Sequence, residues 1–569
     1  MMCGILCLYN QQRNVLDDCG KFNKMLHLLD HRGPDDMRTY FDQHVLLGHC
    51  RLSIIDLKGG MQPLEYTYQD ITYRIIFNGE IYNMNELKKH LIDLGFHFYS
   101  QSDSEVLLVS FIAYKEKCLN MLDGIFSFVI SYENKIFACR DHLGVKPLFY
   151  YLKDDDLVIS SEIKAILMYI GKCVVDKTGI KELLGLGPSL SPGSTLYKDI
   201  YSLRPAHYLW FDGEHLMIER YWSLQKKAHL KSYEETVQDV RFLVNKSIQR
   251  QLLSDVPLST MLSGGLDSSI ITAISSQYIQ DLSTYSITYE DQEKYFQSYD
   301  YQTTMDDEYI NEMIDRYQTN HHKVTLSQED LVDSLKTALI ARDMPGMADV
   351  DSSFLLFSQQ ISKNHKVCLS GECADEIFGG YPWFYKAELY SQPYFPWMRD
   401  LDLKIDLFNE KVKKLNLKDY IIQRYHESLD EIHTNDKKKQ LIYLNTEWFM
   451  QTLLTRADSQ TMRSSIEVRV PFASTKILQY LYNMPVEYMF YGDEEKGILR
   501  KAFEEFLPED IAHRKKNPYP KTHSPIYAQI ISHKLKESLS DSSNILYSFF
   551  DKNSKYNVYK RFDKIRQNN

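Results

Sequence analysis

The 569-residue chain has no apolar run long enough to span a bilayer, no block of basic residues and no CxxC pair. The first absence removes a membrane-spanning helix from consideration. The second, with a formal net charge of −11, argues against nucleic acid as the main partner. Cysteine is sparse and odd in number, nine in all, which fits reduced thiols better than a disulfide framework. Cys3 and Cys7 stand as CxxxC, yet no second Cys or His pair completes a zinc set. No charged segment precedes the short apolar run at the start, so no secretory signal is expected and the cytoplasm is the expected compartment. Internal repeats and low-complexity segments are also missing. What remains is an ordinary soluble composition, 44% apolar and 25% charged, in a chain too long for one core, so two large domains are expected.

In residues 3–213, apolar alternation or short apolar runs predict strands at Gly4–Leu8, His44–Leu52, Thr72–Phe77, Phe126–Ser131, Lys135–Cys139 and Leu157–Ser160. Helical spacing appears at Asp18–Asp30, Asn85–Leu94 and Ser104–Tyr114, the last with Ser102-Asp103 as a cap. Several clusters are not explained by packing. HRGPD (His31–Asp35) is a charged Gly-Pro loop. RLSIID (Arg51–Asp56) sets an arginine at the edge of an apolar strand. FNGEIYN (Phe77–Asn83) follows a strand and carries Asn-Gly, a turn signal. SDSE (Ser102–Glu105) and RDHLGVKPLFY (Arg140–Tyr150) complete the set. Each alone reads as a turn, a cap or a solvated arginine.

In this order, behind Cys-Gly-Ile, they resemble the glutaminase domain of the class II glutamine amidotransferases. The resemblance implies an αββα sandwich of the N-terminal-nucleophile (Ntn) hydrolase type. It also implies roles. Cys3 attacks the glutamine amide, with its own α-amine as base once it is the first residue. Asn78 and Gly79 form the oxyanion hole. Arg51 binds the glutamine α-carboxylate and Asp103 its α-ammonium, while Glu80 and the backbone of Leu52, Ser53, Ile54 and Ile55 complete the pocket. Met1 and Met2 precede Cys3, and Met2 is too large to follow an excised methionine. Translation starting at Met2, with removal of that residue, is the simplest expectation.

The pattern shifts at 214–235, a polar stretch read as a linker, and residues 236–569 form the second domain. A helix is expected over Tyr233–Leu253. The string VPLSTMLSGGLDSSIITAI then gives a buried strand (Val256–Leu262), a Gly and hydroxyl loop (Ser263–Ser269) and a helix. Two glycines admit close backbone approach, and hydroxyls with helix N-terminal N–H groups offer donors to phosphate. No GKS or GKT follows, so it is not a Walker loop. SGGLDSS resembles the PP-loop of the ATP pyrophosphatases, which implies a doubly wound parallel α/β domain. By that resemblance Leu262, Ser263, Gly264, Gly265, Asp267, Ser268, Ser269, Ile287, Ser370 and Gly371 bind ATP. Asp267 and Asp375 serve Mg²⁺ and pyrophosphate, Glu372 serves the acyl-adenylate step, and Lys496 stabilises transition-state charge. Lys496 and Arg469 rank below the two loops, because helix charges are usually solvated. Cys373 stands in SGECADE where the family commonly has glycine; the loop is expected to tolerate it rather than to require φ > 0.

The two halves together resemble the glutamine-dependent asparagine synthetases, which implies an α/β and α+β two-domain enzyme. Its substrates are L-glutamine, L-aspartate and ATP with Mg²⁺, and a homodimer is common in the family. Three other readings carry less weight. Amidation of another carboxylate uses the same architecture. A PP-loop tRNA-modifying protein is disfavoured by the acidic chain without CxxC. A non-catalytic relative would have lost the PP-loop. The tail after 520 and the 41 tyrosines have no functional reading.

Overall fold

The computed structural model describes residues 3–298 and 304–550; the residues preceding Cys3, and with them the methionine question, lie outside the described residues.

The first half forms two six-stranded antiparallel sheets. One has the order β10-β8-β9-β1-β3-β2, built from β1 (Cys3–Tyr9), β2 (Asp36–Phe41), β3 (Val45–Arg51), β8 (Phe149–Lys153), β9 (Asp156–Ser160) and β10 (Ile200–Ser202). The other has the order β12-β11-β7-β6-β5-β4, built from β4 (Leu64–Tyr68), β5 (Ile71–Ile81), β6 (Gly124–Tyr132), β7 (Lys135–Arg140), β11 (His207–Phe211) and β12 (Leu216–Arg220). Strand alternation explains the stacking. Ile5, Cys7, Val45 and Leu47 of the first sheet meet Ile76, Val129, Ile136 and Ala138 of the second in one core. Their alternate neighbours Leu6, Leu8 and Leu46 face α1 (Cys19–His27) and α4 (Ile163–Ile170). On the far side Ile75, Phe77 and Phe128 face α2 (Met84–Asp93) and α3 (Asp103–Tyr114). Four layers result, helix–sheet–sheet–helix. Ser102 caps α3 by accepting from the Ser104 N–H at 3.1 Å, as the sequence predicts.

Two expectations are corrected. Asn78-Gly79 is not a turn: β5 runs through it to Ile81, and Asn78, Gly79 and Glu80 pair with Ser127, Phe126 and Ile125 of β6. Glycine is required there by contact, since a Cβ on Gly79 would lie 2.1 Å from the Ile125 carbonyl oxygen. The stretch read as linker from 214 begins with an edge strand, because β12 pairs along its length with β11. The helix Tyr233–Gln251 then opens with a capping box between Ser232 and Glu235.

The second half is built on a parallel five-stranded sheet of order β15-β14-β13-β16-β17. Its strands are β13 (Leu258–Met261), β14 (Ser283–Tyr289), β15 (Asn320–Leu326), β16 (Val367–Leu369) and β17 (Glu467–Arg469). The chain leaves β13 first toward β14 and β15, then returns to add β16 and β17 on the other side. The strand order therefore reverses between β13 and β16, where doubly wound sheets bind their ligands.

Candidate functional site

The expected site residues fall into two groups, one in each half. In the first, β1 and β3 pair so that Cys3 lies opposite Arg51. Cys3 is fully buried, and burial pushes its thiol up to about 11, against the pull of the Leu52 backbone N–H and the Arg51 guanidinium. Its backbone N–H donates to Asn78 Oδ1 at 2.9 Å, and Asn78 Nδ2 donates to Ser127 Oγ at 3.5 Å. β5 thus brings Asn78 against Cys3 because the strand does not turn. Arg51 Nη1 and Nη2 donate to the carbonyls of Leu57 and Asp56 at 3.2 and 2.7 Å, which folds Leu52–Ile55 into a buried loop beside Cys3. Asp103, at the start of α3, accepts from the Ile81 N–H at 3.1 Å through Oδ2. Its Oδ1 is buried with no hydrogen-bond partner among the described residues, an acceptor suited to an incoming ammonium. Glu80 is buried next to it, and burial pushes its carboxyl up to about 8.

In the second half the SGGLDSS loop joins β13 to the helix Leu266–Ser275. Gly264 takes φ +67°, and a Cβ there would meet Tyr309 Cβ at 2.7 Å. Ser268 Oγ accepts from the Ser263 N–H at 3.1 Å and so closes the loop, while Ser269 Oγ is buried without a hydrogen-bond partner among the described residues. Gly371, at the end of β16, approaches so closely that a Cβ would lie 3.0 Å from the Ser268 nitrogen. Both loops line one cavity of about 900 Å³, which also includes Leu262, Ile287, Ser370, Glu372, Asp375 and Lys496.

Lys496 is not on a solvated helix face. It precedes the helix Gly497–Phe503 with φ +57°, is 3% exposed, and donates to both Asp267 oxygens at 2.8 and 2.7 Å and to Asp375 Oδ1 at 2.8 Å. Burial opposes ionisation of Asp375, but Lys496 and Lys516 outweigh it and hold the carboxyl down at about 2. Glu372 pairs with the buried Arg456. Cys373 does sit in the left-handed region, at φ +75°, as N-cap of the helix Ala374–Phe378. The expected tolerance is thus wrong: the loop needs φ > 0, and a cysteine adopts it at a cost of about 1 kcal/mol.

Arg469 joins the two groups. It is fully buried at the end of β17, donates to Glu467 Oε1 at 2.5 Å and to the Gln251 and Leu253 carbonyls at 2.6 Å, and lies 3.6 Å from Glu80. Arg456, Arg514, Lys516 and Tyr519 also line the cavity and were missed by sequence reasoning. The run RKKNPYPK (Arg514–Lys521), basic and interrupted by prolines, was the signal available for three of them.

Asp267 and Asp375 suit Mg²⁺, which is typically held by one or two carboxylates with phosphate oxygens and water making up the rest. Among the described residues, no group of three or more His, Cys, Asp or Glu could hold a metal alone. No helix among them is long and apolar enough to cross a membrane.

The glutamine amidotransferase domain family matches residues 2–222 and the asparagine synthase family residues 239–569. The chain is 46% identical to asparagine synthetase [glutamine-hydrolyzing] 3 of Bacillus subtilis, over 97% of this chain and 92% of that one. It is 30% identical to asparagine synthetase [glutamine-hydrolyzing] 1 of the same organism, over 91% and 87%. With asparagine synthetase B [glutamine-hydrolyzing] of Escherichia coli it shares 28% identity over 91% and 82%. With family matches to both halves and 46% identity to a relative over nearly its whole length, the chain belongs to the glutamine-hydrolysing asparagine synthetases.

Proposed function

We propose that this protein makes L-asparagine from L-aspartate, ATP and L-glutamine, releasing AMP, diphosphate and L-glutamate. The supporting observation is the continuity of one apolar core across both halves. Cys3, Leu52, Ile54, Ile55 and Val145 pack in the same cluster as Leu258, Leu262, Val468 and Val470. Ammonia must travel as NH₃, since NH₄⁺ is no nucleophile, and an apolar junction beside Cys3 disfavours the charged form.

In residues 3 to about 220, Arg51 and Asp103 hold the α-groups of glutamine, with Glu80 and the Leu52–Ile55 backbone around it. Cys3 attacks the side-chain amide. Its thiol is too basic while buried under a peptide nitrogen, so the α-amine freed by methionine removal takes the proton. The oxyanion receives Asn78 Nδ2 and the Gly79 N–H. Ammonia leaves, and water hydrolyses the thioester.

In the second domain the backbone of Ser263–Ser269, with the helix N-terminus and Ser370-Gly371, holds the nucleotide phosphates, and Leu262 and Ile287 flank the adenine. The β-carboxylate of aspartate attacks the α-phosphorus and diphosphate leaves, giving β-aspartyl-AMP; ammonia then displaces AMP. Lys496 offsets the charge that grows on phosphate oxygens, and Glu372, fixed by Arg456, serves the adenylate step. Asp267 and Asp375 would hold Mg²⁺, which would neutralise phosphate charge when bound. The protein works in the cytoplasm, as a homodimer.

The test supplies aspartate and ATP·Mg²⁺ with either glutamine or an ammonium salt. Asparagine and AMP from both tubes support the reading, and an intact mass starting at Cys3 supports the processing. Product from ammonium alone leaves only the second domain working. Product from neither sinks aspartate as the acceptor.

A further inference from the structure

We infer that a second, smaller cavity between the two halves is a binding site for a phosphate-sized tetrahedral oxyanion. Its volume is about 40 Å³. A water needs about 10–15 Å³ on the same measure, so the cavity holds a phosphate group and no nucleotide. The first half supplies Tyr82 and Asp123, and the second supplies Lys246, Arg250, Gln251 and the turn Ser474–Lys476. None of the residues assigned to glutamine or to the nucleotide lines it.

Charge is the first argument. Arg250 and Lys476 converge on Asp123, with Lys476 Nζ 2.7 Å from its Oδ2. Lys246 has no ion pair among the described residues; its ammonium lies over the Phe242 ring at 5.5 Å. The other carboxylate in the lining, Asp141, accepts the backbone N–H groups of Phe126, Leu143, Val145 and Lys146 at 2.9 to 3.3 Å. His142 adds no charge, because burial holds it down at about 4. Glu86, 3.5 Å from Arg250, is exposed, stands outside the lining and is screened by water. Three cations thus face two carboxylates, one of them already wrapped in N–H donors, and the cavity is left positive.

Unspent hydrogen-bonding groups are the second argument. The helix Thr475–Asn483 has no side-chain cap, so its first-turn N–H groups are open to an anion. The Tyr82 hydroxyl is buried without a hydrogen-bond partner among the described residues. So is Gln251 Oε1, on a residue only 3% exposed whose carbonyl is fixed by Arg469 at 2.6 Å. Buried polar atoms are rarely left so, and a junction that only packed would have paired them. Tyr82 can donate to a phosphate oxygen, and the Gln251 amide can donate to one or accept from P–OH. The donors arrive from several sides, which suits four tetrahedral oxygens better than the two of a planar carboxylate. Tyr82 belongs to the first half and the lysines and the helix to the second, so the bound anion ties the halves together.

The experiment follows thermal unfolding of the full-length protein as inorganic phosphate is added, beside sulfate, acetate and chloride at matched ionic strength. The double variant Lys246→Ala with Lys476→Ala, and the single variant Gln251→Leu, are compared with the unaltered chain. The expected result is a saturable rise in unfolding temperature with phosphate, and with acetate or chloride only the effect of ionic strength. The half-saturating phosphate concentration rises at least about tenfold in both variants, the scale of one lost charged hydrogen bond. Sulfate that matches phosphate supports a site selected by shape, and sulfate that fails supports one that uses the P–OH. Both lysines are exposed, so the double variant serves if Gln251→Leu fails to fold. Phosphate that acts equally on a folded variant sits elsewhere, the larger cavity included, and overturns the assignment. A phosphate response no different from that of acetate or chloride overturns it as well.

Discussion

Cys3, Asp103 and Cys373 show what single residues contribute here. Cys3→Ala removes the proposed nucleophile and leaves the second domain untouched. Glutamine-dependent synthesis is expected to vanish while ammonium-dependent synthesis continues, in a paired assay of asparagine. Asp103 holds a buried oxygen with no hydrogen-bond partner among the described residues, so Asp103→Asn is expected to raise KM for glutamine by about 10²-fold, the value of a lost charge-assisted bond of about 3 kcal/mol. Glu80 carries a pH signature. Its folded value, pushed up by burial to about 8, lies above the unfolded one near 4.3. The protonated form is thus the one the fold prefers, and its contribution is present below about pH 4 and erodes as pH rises toward 8. Glu80→Gln is expected to flatten that erosion in thermal unfolding followed from pH 5 to 8. At Cys373, a β-branched Val in the same φ > 0 position is expected to lower the unfolding temperature, whereas Gly relieves strain and loses some burial, for a change within about 1 kcal/mol.

Elements convert these residues into sites. β5 carries three pocket residues in one continuous strand, and Gly79 permits it by letting β6 approach. Gly79→Ala would force a Cβ to 2.1 Å from a carbonyl oxygen, which parts the strands at the oxyanion hole. Loss of glutamine-dependent turnover by at least about 10²-fold is expected, with ammonium-dependent turnover retained. Asn-Gly misled sequence reasoning for a physical reason: glycine suits a turn and a close inter-strand approach equally, and only the partner strand distinguishes them. Lys496 was undervalued likewise. Its neighbours Asp267 and Asp375 lie 229 and 121 residues away, so nothing in its local pattern separates it from a solvated helix charge.

Across the whole molecule, the halves are locked by buried charge as well as by apolar packing. Arg32 of HRGPD is fully buried. It donates to the Cys3 carbonyl at 3.1 Å, to Glu162 at 3.0 Å and to Asp458 of the second half at 2.9 and 3.1 Å. The loop at Leu52–Asp56 is tied across as well. Asp56 N–H donates to Asp255 Oδ2 at 2.9 Å, Asp255 N–H to the Ile54 carbonyl at 3.0 Å, and Lys366 pairs with Asp35, which also holds the Ser53 N–H. Asp255 and Lys366 lie just before β13 and β16, whose far ends carry the phosphate loops. Asp458→Ala leaves Arg32 short of a buried partner at a cost of about 3 kcal/mol. The expected outcome is a lower unfolding temperature and more glutamate formed per asparagine, read by measuring both products.

The sequence by itself pointed, through its resemblance to known families, to the two chemistries proposed. Cys3, Arg51, Asn78 and Asp103 on one side, and SGGLDSS with SGECADE on the other, are short strings whose residue types are demanded by the bonds they must make. It also located strands and helices of the first half, because strand alternation and helical spacing are local, while their four-layer stacking was implied only by the resemblance. Only the tertiary structure decided that Asn78-Gly79 continues a strand, that Cys373 sits at φ > 0, and that Lys496 is buried. It alone placed Arg32, Arg469 and Lys516 between elements far apart in the chain. Those features depend on which distant backbone or carboxylate arrives at a residue, and periodicity and propensity do not encode that.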